Sequence, residues 1–503
     1  MSTQARTLLF RADAGLRMGT GHLLRCLALA QAWQDAGGQA VLRTGEGTSG
    51  LEARFHQEGI QVERAGGEPG SPEDAQQTVI SARRWRSDWI VLDGYHFSGR
   101  YQQWIKKAGV RLLTLDDYGH AEHYTADLVL NQNLHAVASL YSHRAASTKL
   151  LLGPRFALLR REYARRVGWR RVVREVARKV LVTLGGSDPP NVTLGVVQAL
   201  QEVRLEGLEA VILIGAANPH RDQLEAAVRN APAMRLRVNA TDMPELLAWA
   251  DVAVAAGGTT TWELAFMGLP ALLVVLADNQ RQVVREMAAA GAAGSLGWFE
   301  TATPDRIARE LSDLLADPQR RRQWCQRGQA LVDGRGANRV LQRLRGRSLF
   351  LRQVRAEDCR PLWEWANDAA VRAASFSTQP IPWEDHVQWF RKKLADPRCL
   401  FFMAGDETGQ PIGQVRCDMS REGGVLSISL AAPFRGQGYG QALLQLAAQE
   451  VFAVTDTAYL HAYVKPDNES SARAFRAAGF DAAKAVRIQG QEALHFILRK
   501  QGP

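Results

Sequence analysis

The sequence predicts an α/β protein with two Rossmann-like domains, followed by a smaller α+β domain. Three observations predict this class. Short apolar runs alternate with helical stretches up to about residue 300, which indicates parallel sheets covered on both faces. The alternation stops and restarts once, and near residue 346 it changes to strands joined by short turns. Since 503 residues exceed what one core supports, we expect domains at 1–155, 156–345 and 346–503.

In the first block, a glycine-rich turn follows the first strand. Thr7–Phe10 leads to Gly19-Thr20-Gly21-His22, which opens a helix over Leu23–Ala36. Such glycines let the backbone approach a ligand, and the helix N-terminus offers free N–H groups to an anion. His22 could take a proton from water or a hydroxyl near neutral pH, or could only hydrogen-bond at the helix end. Further strands are predicted at Ala40–Thr44, Trp89–Asp93, Arg111–Asp117 and Leu128–Gln132.

Acidic residues stand at the ends of two of these strands. Asp93-Gly94-Tyr95-His96 follows one of them, and Asp116-Asp117 ends the next. Strand ends line the ligand crevice of open α/β sheets. These carboxylates could bind sugar hydroxyls or act in acid–base chemistry, but capping of the next helix is an equally good interpretation.

The second block starts after a charged stretch, Leu158–Lys179, that is predicted to be helical. Its strands are predicted at Val180–Leu184, Ala210–Gly215, Arg235–Asn239, Asp251–Ala255 and Ala271–Leu276, and a helical tail at Thr303–Arg343. Arginine runs in this block are interpreted as solvated helix faces; they are Arg165-Arg166, Arg170-Arg171 with Arg174, and Arg320-Arg321-Arg322.

Glycine-rich loops follow two strands of the second block. Gly185-Gly186-Ser187-Asp188 has the composition of a loop that wraps a phosphate. Gly257-Gly258-Thr259-Thr260 opens a helix, so that backbone N–H groups and threonine hydroxyls converge on one anion site. Glu263 lies one turn further, where a carboxylate could accept two ribose hydroxyls. Asn279 and Gln280 carry amides suited to a sugar or a pyrophosphate, although Asn279 could simply cap a helix.

The third block resumes with a strand at Leu349–Val354 and continues with antiparallel strands. Within it, Val425–Leu430 is followed by Arg435-Gly436-Gln437-Gly438-Tyr439-Gly440, which opens the helix Gln441–Glu450. Backbone amides of such a loop can hold a diphosphate. Asn468 later opens another helix, before Gly479-Phe480.

The amino-acid composition argues against membrane-spanning, metal-binding and nucleic-acid-binding proteins. The chain is 46% hydrophobic and 23% charged, as in soluble globular proteins, and it has no apolar stretch long enough to span a membrane. Its 5 scattered cysteines lack C-x-x-C spacing, which favours reduced thiols in the cytosol and no metal site. The net charge of +10 suits an anionic partner. However, the sequence lacks the basic stripe with interleaved aromatic residues that would predict binding of nucleic acid.

The first two blocks resemble a known family of sugar-nucleotide hydrolases. Phe10-Arg11-Ala12-Asp13-Ala14, Met18–His22 and Arg25-Cys26-Leu27 resemble the N-terminus of the UDP-sugar hydrolases of pseudaminic acid biosynthesis, which have the GT-B fold of MurG-type glycosyltransferases. The resemblance implies that His22 is the base and Tyr95 a catalytic residue near the sugar. It also implies that the UDP-sugar is bound by Asp13, Gly19, Gly21, Gly257, Gly258, Thr259, Thr260, Glu263, Asn279 and Gln280.

The third block resembles the GNAT acetyltransferases. Arg435, Gly436, Gln437, Gly438, Tyr439 and Gly440 match the pyrophosphate loop of that family, and the resemblance implies that this loop and Asn468 bind acetyl-CoA. One position departs from the pattern. Many members carry a tyrosine four residues before the Gly-Phe pair, as the acid that protonates the leaving thiolate, whereas this chain has Phe475. Three interpretations remain: another group such as Tyr463 supplies the proton, the thiolate leaves with help from water, or the domain is catalytically weak. Glu384 and His386 are candidates for the base.

Together the resemblances imply a bifunctional enzyme of pseudaminic acid biosynthesis. It would acetylate a UDP-4-amino-4,6-dideoxy sugar with acetyl-CoA and then release UDP from UDP-2,4-diacetamido-2,4,6-trideoxy-altropyranose without a metal. The partners implied are these two small molecules and downstream pathway enzymes, with neither nucleic acid nor membrane. Three alternatives remain: a glycosyltransferase with an appended acetyltransferase, the equivalent enzyme of a legionaminic-type pathway, and a non-catalytic sensing module that regulates an acetyltransferase.

Overall fold

The chain forms two compact units, Met1–Leu341 and Gln342–Pro503. The computed structural model describes residues 6–14, 20–45, 49–216, 218–229, 231–345, 349–406, 410–436 and 439–500. The predicted boundary near 346 falls at residues outside these ranges. The boundaries of the three predicted domains stay predictions.

The first half of unit 1 is a doubly wound parallel sheet. Its strands are β1 Thr7–Ala12, β2 Gln39–Thr44, β3 Gln61–Arg64, β4 Ser87–Asp93, β5 Arg111–Leu115, β6 Leu128–Asn131 and β7 Lys149–Leu152. Its helices are α1 Gly21–Asp35, α2 Ser49–Gln57, α3 Pro72–Arg84 and α4 Gly99–Lys107. The strands pair in the order β3-β2-β1-β4-β5-β6-β7. Because the order reverses between β1 and β4, a ligand crevice forms at the carboxyl ends of these two strands.

The second half of unit 1 repeats this plan. Its strands are β8 Lys179–Thr183, β9 Glu209–Ile214, β10 Met234–Val238, β11 Val252–Ala256, β12 Ala271–Val275 and β13 Gly294–Trp298. Its helices are α5 Val192–Glu202, α6 Arg221–Arg229, α7 Met243–Trp249, α8 Thr260–Phe266, α9 Asp278–Ala289, α10 Pro304–Ala316, α11 Pro318–Leu331 and α12 Gly336–Leu344. The parallel order β10-β9-β8-β11-β12-β13 reverses between β8 and β11, whose carboxyl ends carry the glycine-rich loops.

Unit 2 is an α+β domain built on a mainly antiparallel sheet. Its strands are β14 Phe350–Gln353, β15 Cys399–Gly405, β16 Pro411–Ser420, β17 Gly423–Leu430, β18 Tyr459–Val464, β19 Asp481–Ala482, β20 Val486–Ile488 and β21 Gln491–Arg499. Its helices are α13 Cys359–Ala366, α14 Ala369–Ala374, α15 Trp383–Ala395, α16 Tyr439–Val454 and α17 Glu469–Ala477. The order is β14-β15-β16-β17-β18-β21-β19, and only the contact of β17 with β18 is parallel among the described pairs. Helices α16 and α17 cover one face, and α13 and α15 cover part of the other.

Local sequence signals fix the start of several helices. Ser71 accepts a hydrogen bond from the backbone of Asp74 and precedes Pro72, the first residue of α3. Thr303 and Asp317 start α10 and α11 in the same way. A side-chain acceptor followed by proline satisfies free N–H groups and presets the first helical φ.

These sheets confirm the predicted fold class, with differences in detail. The predicted helix over Leu158–Lys179 is wrong: only a 3-10 turn forms, at Arg161–Arg166. Gly168 takes a left-handed φ of +82°, which stops helical propagation. Strands β3, β7 and β13 were not predicted; they are edge strands with few fully buried residues, so their apolar signal is weak.

The interpretation of all arginine runs as solvated faces is also wrong. The guanidinium of Arg171 donates to the backbone oxygens of Leu247, Ala250 and Met267, at the ends of α7 and α8. Arg321 is 1% exposed and donates to four backbone oxygens, including that of Leu314. Burial lowers the pKa of Arg171 to about 10. Both side chains complete helix ends whose carbonyl groups have no partner within the helix.

We expect Arg171→Met to lower the free energy of unfolding of the chain by about 1–3 kcal/mol, because buried carbonyl oxygens lose their donors. Chemical denaturation followed by tryptophan fluorescence measures this. The exposed neighbour Arg170 provides the matched control, and Arg170→Met should leave stability within experimental error. Equal stability of the two variants would contradict a capping role for Arg171.

Candidate functional site

A cleft of about 830 Å³ lies in unit 1 where the two sheets present their carboxyl ends. From the first sheet it is lined by the start of α1 and by Tyr95 and Asp117. From the second sheet it is lined by the loops 183–190, 256–260 and 276–280. Of the described residues predicted to form the UDP-sugar site, those in this lining are Gly21, His22, Tyr95, Gly257, Gly258, Thr259, Thr260, Asn279 and Gln280.

His22 forms a dyad with a buried carboxylate at the floor of this cleft. Its Nδ1 lies 2.5 Å from Asp93 Oδ1, at the carboxyl end of β4. Burial by itself would raise the pKa of Asp93, but the charges of Arg25 and His22 outweigh it and lower that pKa. The ionised carboxylate can only accept, so Nδ1 carries a proton, and in the neutral ring the lone pair is on Nε2. This is the tautomer that a general base needs.

Arg25 ties this dyad to a second carboxylate. One turn after His22 on α1, it donates from Nε to Asp93 Oδ2 at 2.6 Å and from Nη1 to Asp117 Oδ1 at 2.8 Å. Burial raises the pKa of Asp117, yet the charge of Arg25 outweighs this and leaves the pKa lowered. Arg25 therefore stabilises the charged form of both carboxylates. These in turn hold the rings of His22 and Tyr95 through hydrogen bonds.

Tyr95 bridges the two halves of unit 1. Its hydroxyl donates to Asp117 Oδ2 at 2.7 Å and accepts from Asn279 Nδ2 at 3.0 Å. Its ring packs edge-on against His22, with centroids 5.1 Å apart. Burial and the charge of Asp117 raise the pKa of Tyr95, so the phenol stays protonated at neutral pH. A hydrogen-bonding role suits this group better than a role as base.

The two halves also approach closely beside His22. A Cβ added at Gly21 would lie 3.1 Å from Thr259 Oγ1 across the cleft, and one at Gly186 would lie 3.5 Å from Thr20 Cγ2. The start of α1 therefore faces the loop that leads into α8. Backbone N–H groups from both sheets border the same space, which suits a phosphate-bearing ligand.

The loops of the second sheet pack against α9. A Cβ at Gly257 would come within 2.3 Å of Val284, so this position has no room for a side chain. Gln280 turns back on its own loop and accepts from the backbone of Leu276 at 3.0 Å. Asn279, one residue before it, extends to Tyr95 instead. The binding roles predicted for these residues stay predictions.

Two predicted binding residues lie outside the cleft lining. Asp13 accepts from Arg11 Nη1 and from the backbone of Gly45, each at 2.6 Å. Glu263 accepts from Arg160 Nη2 at 2.8 Å. Each carboxylate already belongs to an ion pair, so a bound nucleotide would have to share it. Gly19, which was also predicted to bind the UDP-sugar, falls outside the described ranges.

We expect Glu263→Ala to weaken UDP binding by about 1–3 kcal/mol if its carboxylate accepts the ribose hydroxyls. The free energy of unfolding should also fall by about 1.5–3 kcal/mol, because Arg160 loses a charged partner. Calorimetry with UDP measures the first effect and denaturation the second. Reduced stability with unchanged UDP affinity would leave the ion pair as the role of Glu263.

In unit 2, the predicted acetyl-CoA residues lie at the ends of β17 and β18. Arg435 donates to Asp368 Oδ1 at 2.7 Å, and Gly436 has a left-handed φ of +72° with open space around it. Tyr439 and Gly440 begin α16. Asn468 caps α17 by accepting from the backbone of Ser471. Gln437 and Gly438 lie outside the described residues.

The structure also places the residues considered for proton transfer. Phe475 is buried and stacks on Phe496 at 5.6 Å, so this position belongs to the core. His386 is buried among aromatic rings and its Nε2 lies 3.2 Å from the carbonyl oxygen of Cys359. Burial lowers the pKa of His386. A histidine enclosed in this way is a core residue, whereas Tyr463 is only half-buried on β18.

Comparison with known proteins identifies both parts of the chain. Residues 180–331 match the glycosyltransferase family 28 C-terminal domain, and residues 348–481 match the acetyltransferase (GNAT) domain. The chain joins these two domain types. The described sheets and these matches agree with the fold class predicted from the sequence.

Individual proteins match part of the chain. The spore coat polysaccharide biosynthesis protein SpsG of Bacillus subtilis is 26% identical over 65% of this chain and 95% of its own length. The UDP-2,4-diacetamido-2,4,6-trideoxy-beta-L-altropyranose hydrolase of Campylobacter jejuni is 22% identical over 48% of this chain and 81% of its own. This confirms the predicted resemblance to that hydrolase. Acinetobacter baumannii MurG is 17% identical, with a TM-score of 0.47 over 68% of this chain and 99% of its own.

Sequence reasoning missed the role of Arg25. In the sequence, Arg25 stands out only as part of the run Arg25-Cys26-Leu27. Its spacing of three residues from His22 nevertheless places both on the same helix face. The sequence also does not decide whether Asp93 and Asp117 cap the next helix or take part in binding and acid–base chemistry. The strand order, which places β4 beside β1, decides that Asp93 meets His22.

The described residues hold neither a metal-binding cluster nor a membrane-spanning helix. Within those ranges, no three His, Cys, Asp or Glu side chains are grouped as a metal ion would require. In the same ranges, no helix combines the length and the apolar character needed to cross a membrane.

Proposed function

We propose that the chain is a bifunctional nucleotide-sugar enzyme of a pseudaminic-type pathway. Unit 1 hydrolyses UDP-2,4-diacetamido-2,4,6-trideoxy-altropyranose, and unit 2 transfers an acetyl group from acetyl-CoA to a UDP-4-amino-4,6-dideoxy sugar. The observation that carries the proposal is the His22–Asp93 dyad, which opens onto a cleft bordered by glycine-rich loops. The similarity to the Campylobacter jejuni hydrolase supports the choice of substrate.

In the proposed hydrolysis, His22 Nε2 takes a proton from water while Asp93 holds the ring and balances the imidazolium charge. Such a base contributes about 10²–10⁴ to the rate. Asp93 stays ionised near neutral pH because its pKa is lowered. Arg25 keeps Asp93 in place and thereby keeps the His22 ring aligned.

The leaving UDP needs stabilisation of its growing charge. The loops at 184–187 and 256–260 line the cleft. Their backbone N–H groups can stabilise the negative charge of the leaving UDP without a metal. The ring of Tyr95 packs against His22, and its hydroxyl is hydrogen-bonded to Asn279; both side chains suit sugar hydroxyls or acetamido groups. Attack at the anomeric carbon would invert its configuration, and attack at the β-phosphorus would not.

In unit 2, the loop at residues 435–440 would hold the pyrophosphate of acetyl-CoA and Asn468 would lie near its pantetheine arm. The match to the GNAT domain supports acetyl-CoA as the donor. The acceptor would be the 4-amino group of the nucleotide sugar, so that the acetylated product becomes the substrate of unit 1.

The full chain should be incubated with UDP-4-amino-4,6-dideoxy-N-acetyl-altrosamine and acetyl-CoA, with CoA, UDP and sugar followed by mass spectrometry. We expect CoA to appear first, followed by UDP and the free diacetamido sugar. If a legionaminic-type substrate turns over faster than this one, the enzyme is assigned to the legionaminic-type pathway instead. The absence of both products would favour the sensing module.

A glycosyltransferase is the second candidate, and the match to the family 28 C-terminal domain favours it. It predicts that UDP release requires an acceptor sugar. The hydrolase predicts release with water alone, at a rate that an added acceptor does not increase.

We expect Gly436→Val to reduce acetyl transfer at least tenfold while UDP release from pre-acetylated substrate continues. A β-branched residue strains the backbone at the observed φ of +72°, and this distorts the start of the predicted pyrophosphate loop. The two rates should be measured separately on the full chain. Equal loss of both activities would contradict their assignment to separate sites.

A further inference from the structure

Two histidines on neighbouring strands of unit 2 form a hydrogen-bonded pair. His461 Nδ1 on β18 lies 3.0 Å from His495 Nε2 on β21. The His495 ring also stacks on Tyr463, with centroids 4.9 Å apart and planes at 24°. We propose that His495, supported by His461, accepts the proton from the amine that unit 2 acetylates. This inference rests on the acetyl transfer proposed above.

The hydrogen bonds decide which nitrogen of His495 is available. His461 Nε2 lies 3.1 Å from the carbonyl oxygen of Glu422. A carbonyl only accepts, so His461 Nε2 carries a proton, and in the neutral ring Nδ1 is an acceptor. His495 Nε2–H then donates to it, which leaves the lone pair on His495 Nδ1. That atom is the proposed base.

The surroundings favour the neutral form of His495. Burial and the neighbouring His461 both lower the pKa of His495. Among the described residues, the titratable side chains in contact with it are His461 and Tyr463, both on β18. The His461–His495 bond fails when both rings are protonated, because both facing nitrogens would then carry hydrogen. A neutral imidazole is therefore present at neutral pH, as a base requires.

The pair lies beside the point where β17 and β18, the strands that lead to the predicted acetyl-CoA elements, stop pairing. Leu460, Ala462 and Val464 pack into the core under α16 and α17, so His461 and Tyr463 point to the opposite face of the sheet. In the described chain, β17 and β18 pair only at Gly424–Leu460 and Val425–His461 and part beyond that point. The gap between them begins at His461 and leads to the strand ends that carry the 435–440 loop and Asn468.

A segment of the same unit forms a wall beside this face. Lys465 Nζ donates to the carbonyl oxygen of Ala373 at 3.0 Å, and Gln491 Nε2 donates to that of Phe376 at 2.8 Å. These bonds tie α14 and the residues after it to the ends of β18 and β21. His495 and Tyr463 are half-buried beside this segment, on the face of the sheet away from α16 and α17. We expect the sugar amine to approach them from this face.

The step balances without another reactant. The neutral amine nitrogen attacks the thioester carbon, a C–N bond forms and the C–S bond breaks with its electron pair leaving on sulfur. The proton lost by nitrogen moves to His495 Nδ1. The imidazolium then returns that proton to the CoA thiolate. This would supply the proton that a tyrosine at position 475 supplies in many GNAT enzymes.

The test uses the full chain with acetyl-CoA and UDP-4-amino-4,6-dideoxy-N-acetyl-altrosamine, and a thiol reagent measures CoA. We expect His495→Ala to lower kcat/KM by about 10²–10⁴, with an unchanged KM for acetyl-CoA and partial rescue by added imidazole. The exposed Glu492 on the same strand gives the control, and Glu492→Gln should match the wild type. His461→Gln should move the acidic limb of the pH–rate profile to higher pH, because His495 loses the neighbour that lowers its pKa.

Three outcomes decide the matter. Wild-type rates in His495→Ala would overturn the assignment of His495 while leaving acetyl transfer by unit 2 intact. A loss of activity that imidazole does not rescue, with an unchanged pH profile in His461→Gln, would assign a structural role to the pair and also overturn it. If the wild-type chain releases no CoA with this amine, the proposed acetyl transfer is contradicted, and the inference with it.

Discussion

Replacing His22 with alanine should lower the rate of UDP release by about 10²–10⁴. The side chain is the group whose free Nε2 is proposed to activate water, and no other histidine lines the cleft among the described residues. Binding of UDP itself should change little, because the loops of the second sheet remain. Release of UDP is measured by chromatography under saturating substrate, so that the change appears in kcat.

The control for this variant is His56→Ala. His56 is an exposed residue at the end of α2, and its removal should leave the rate unchanged. Acetyl transfer in His22→Ala should match the wild type, since His22 and the predicted acetyl-CoA loop belong to different units. Hydrolysis within a few-fold of wild type would remove His22 from the mechanism.

Replacing Asp93 with asparagine should be similarly damaging, with a loss of up to about 10⁴ in kcat. An amide can donate to Nδ1, which favours the tautomer with its proton on Nε2 and so blocks the base. The free energy of unfolding should also fall by up to about 3–5 kcal/mol, because the buried Arg25 loses a charged partner.

Rate and stability must therefore be measured together for Asp93→Asn. The matched control is Asp88→Asn on the same strand, where the carboxylate is 29% exposed and pairs with surface arginines. A folded Asp93→Asn protein with near wild-type kcat would show that His22 does not depend on this carboxylate for its tautomer.

Much of the fold could be predicted because apolar runs and glycine-rich turns are local signals. The central strands β1, β4, β8 and β11 are almost fully buried, and their apolar runs were predicted to within a few residues. The segment after Leu158 could not be predicted in this way. Arg171 donates to the carbonyl oxygen of Met267 after α8, and Arg321 of α11 donates to the carbonyl oxygen of Arg174. The conformation of this segment therefore depends on tertiary contacts rather than on local propensity.

The candidate site was predictable only in part for a related reason. His22 and the loop at 257–260 carry local signatures of ligand-binding turns. The pairing of His22 with Asp93 depends on strand order, and the contact of Tyr95 with Asn279 depends on how the two sheets face each other. The pair His461–His495 depends on the antiparallel register of β18 and β21, which brings together two residues 34 positions apart in the chain. The separation of such residues in the chain follows neither the helical nor the strand repeat, so the sequence pattern does not predict their contact.

The most direct test of the account is incubation of the full chain with UDP-2,4-diacetamido-2,4,6-trideoxy-altropyranose in water enriched in ¹⁸O, without any acceptor sugar. We predict stoichiometric UDP and free sugar, with one ¹⁸O atom in either product; its position in sugar or in UDP distinguishes attack at carbon from attack at phosphorus. His22→Ala should abolish this incorporation. Intact substrate until an acceptor sugar is added, with no ¹⁸O in the products, would contradict the hydrolase and make unit 1 a glycosyltransferase.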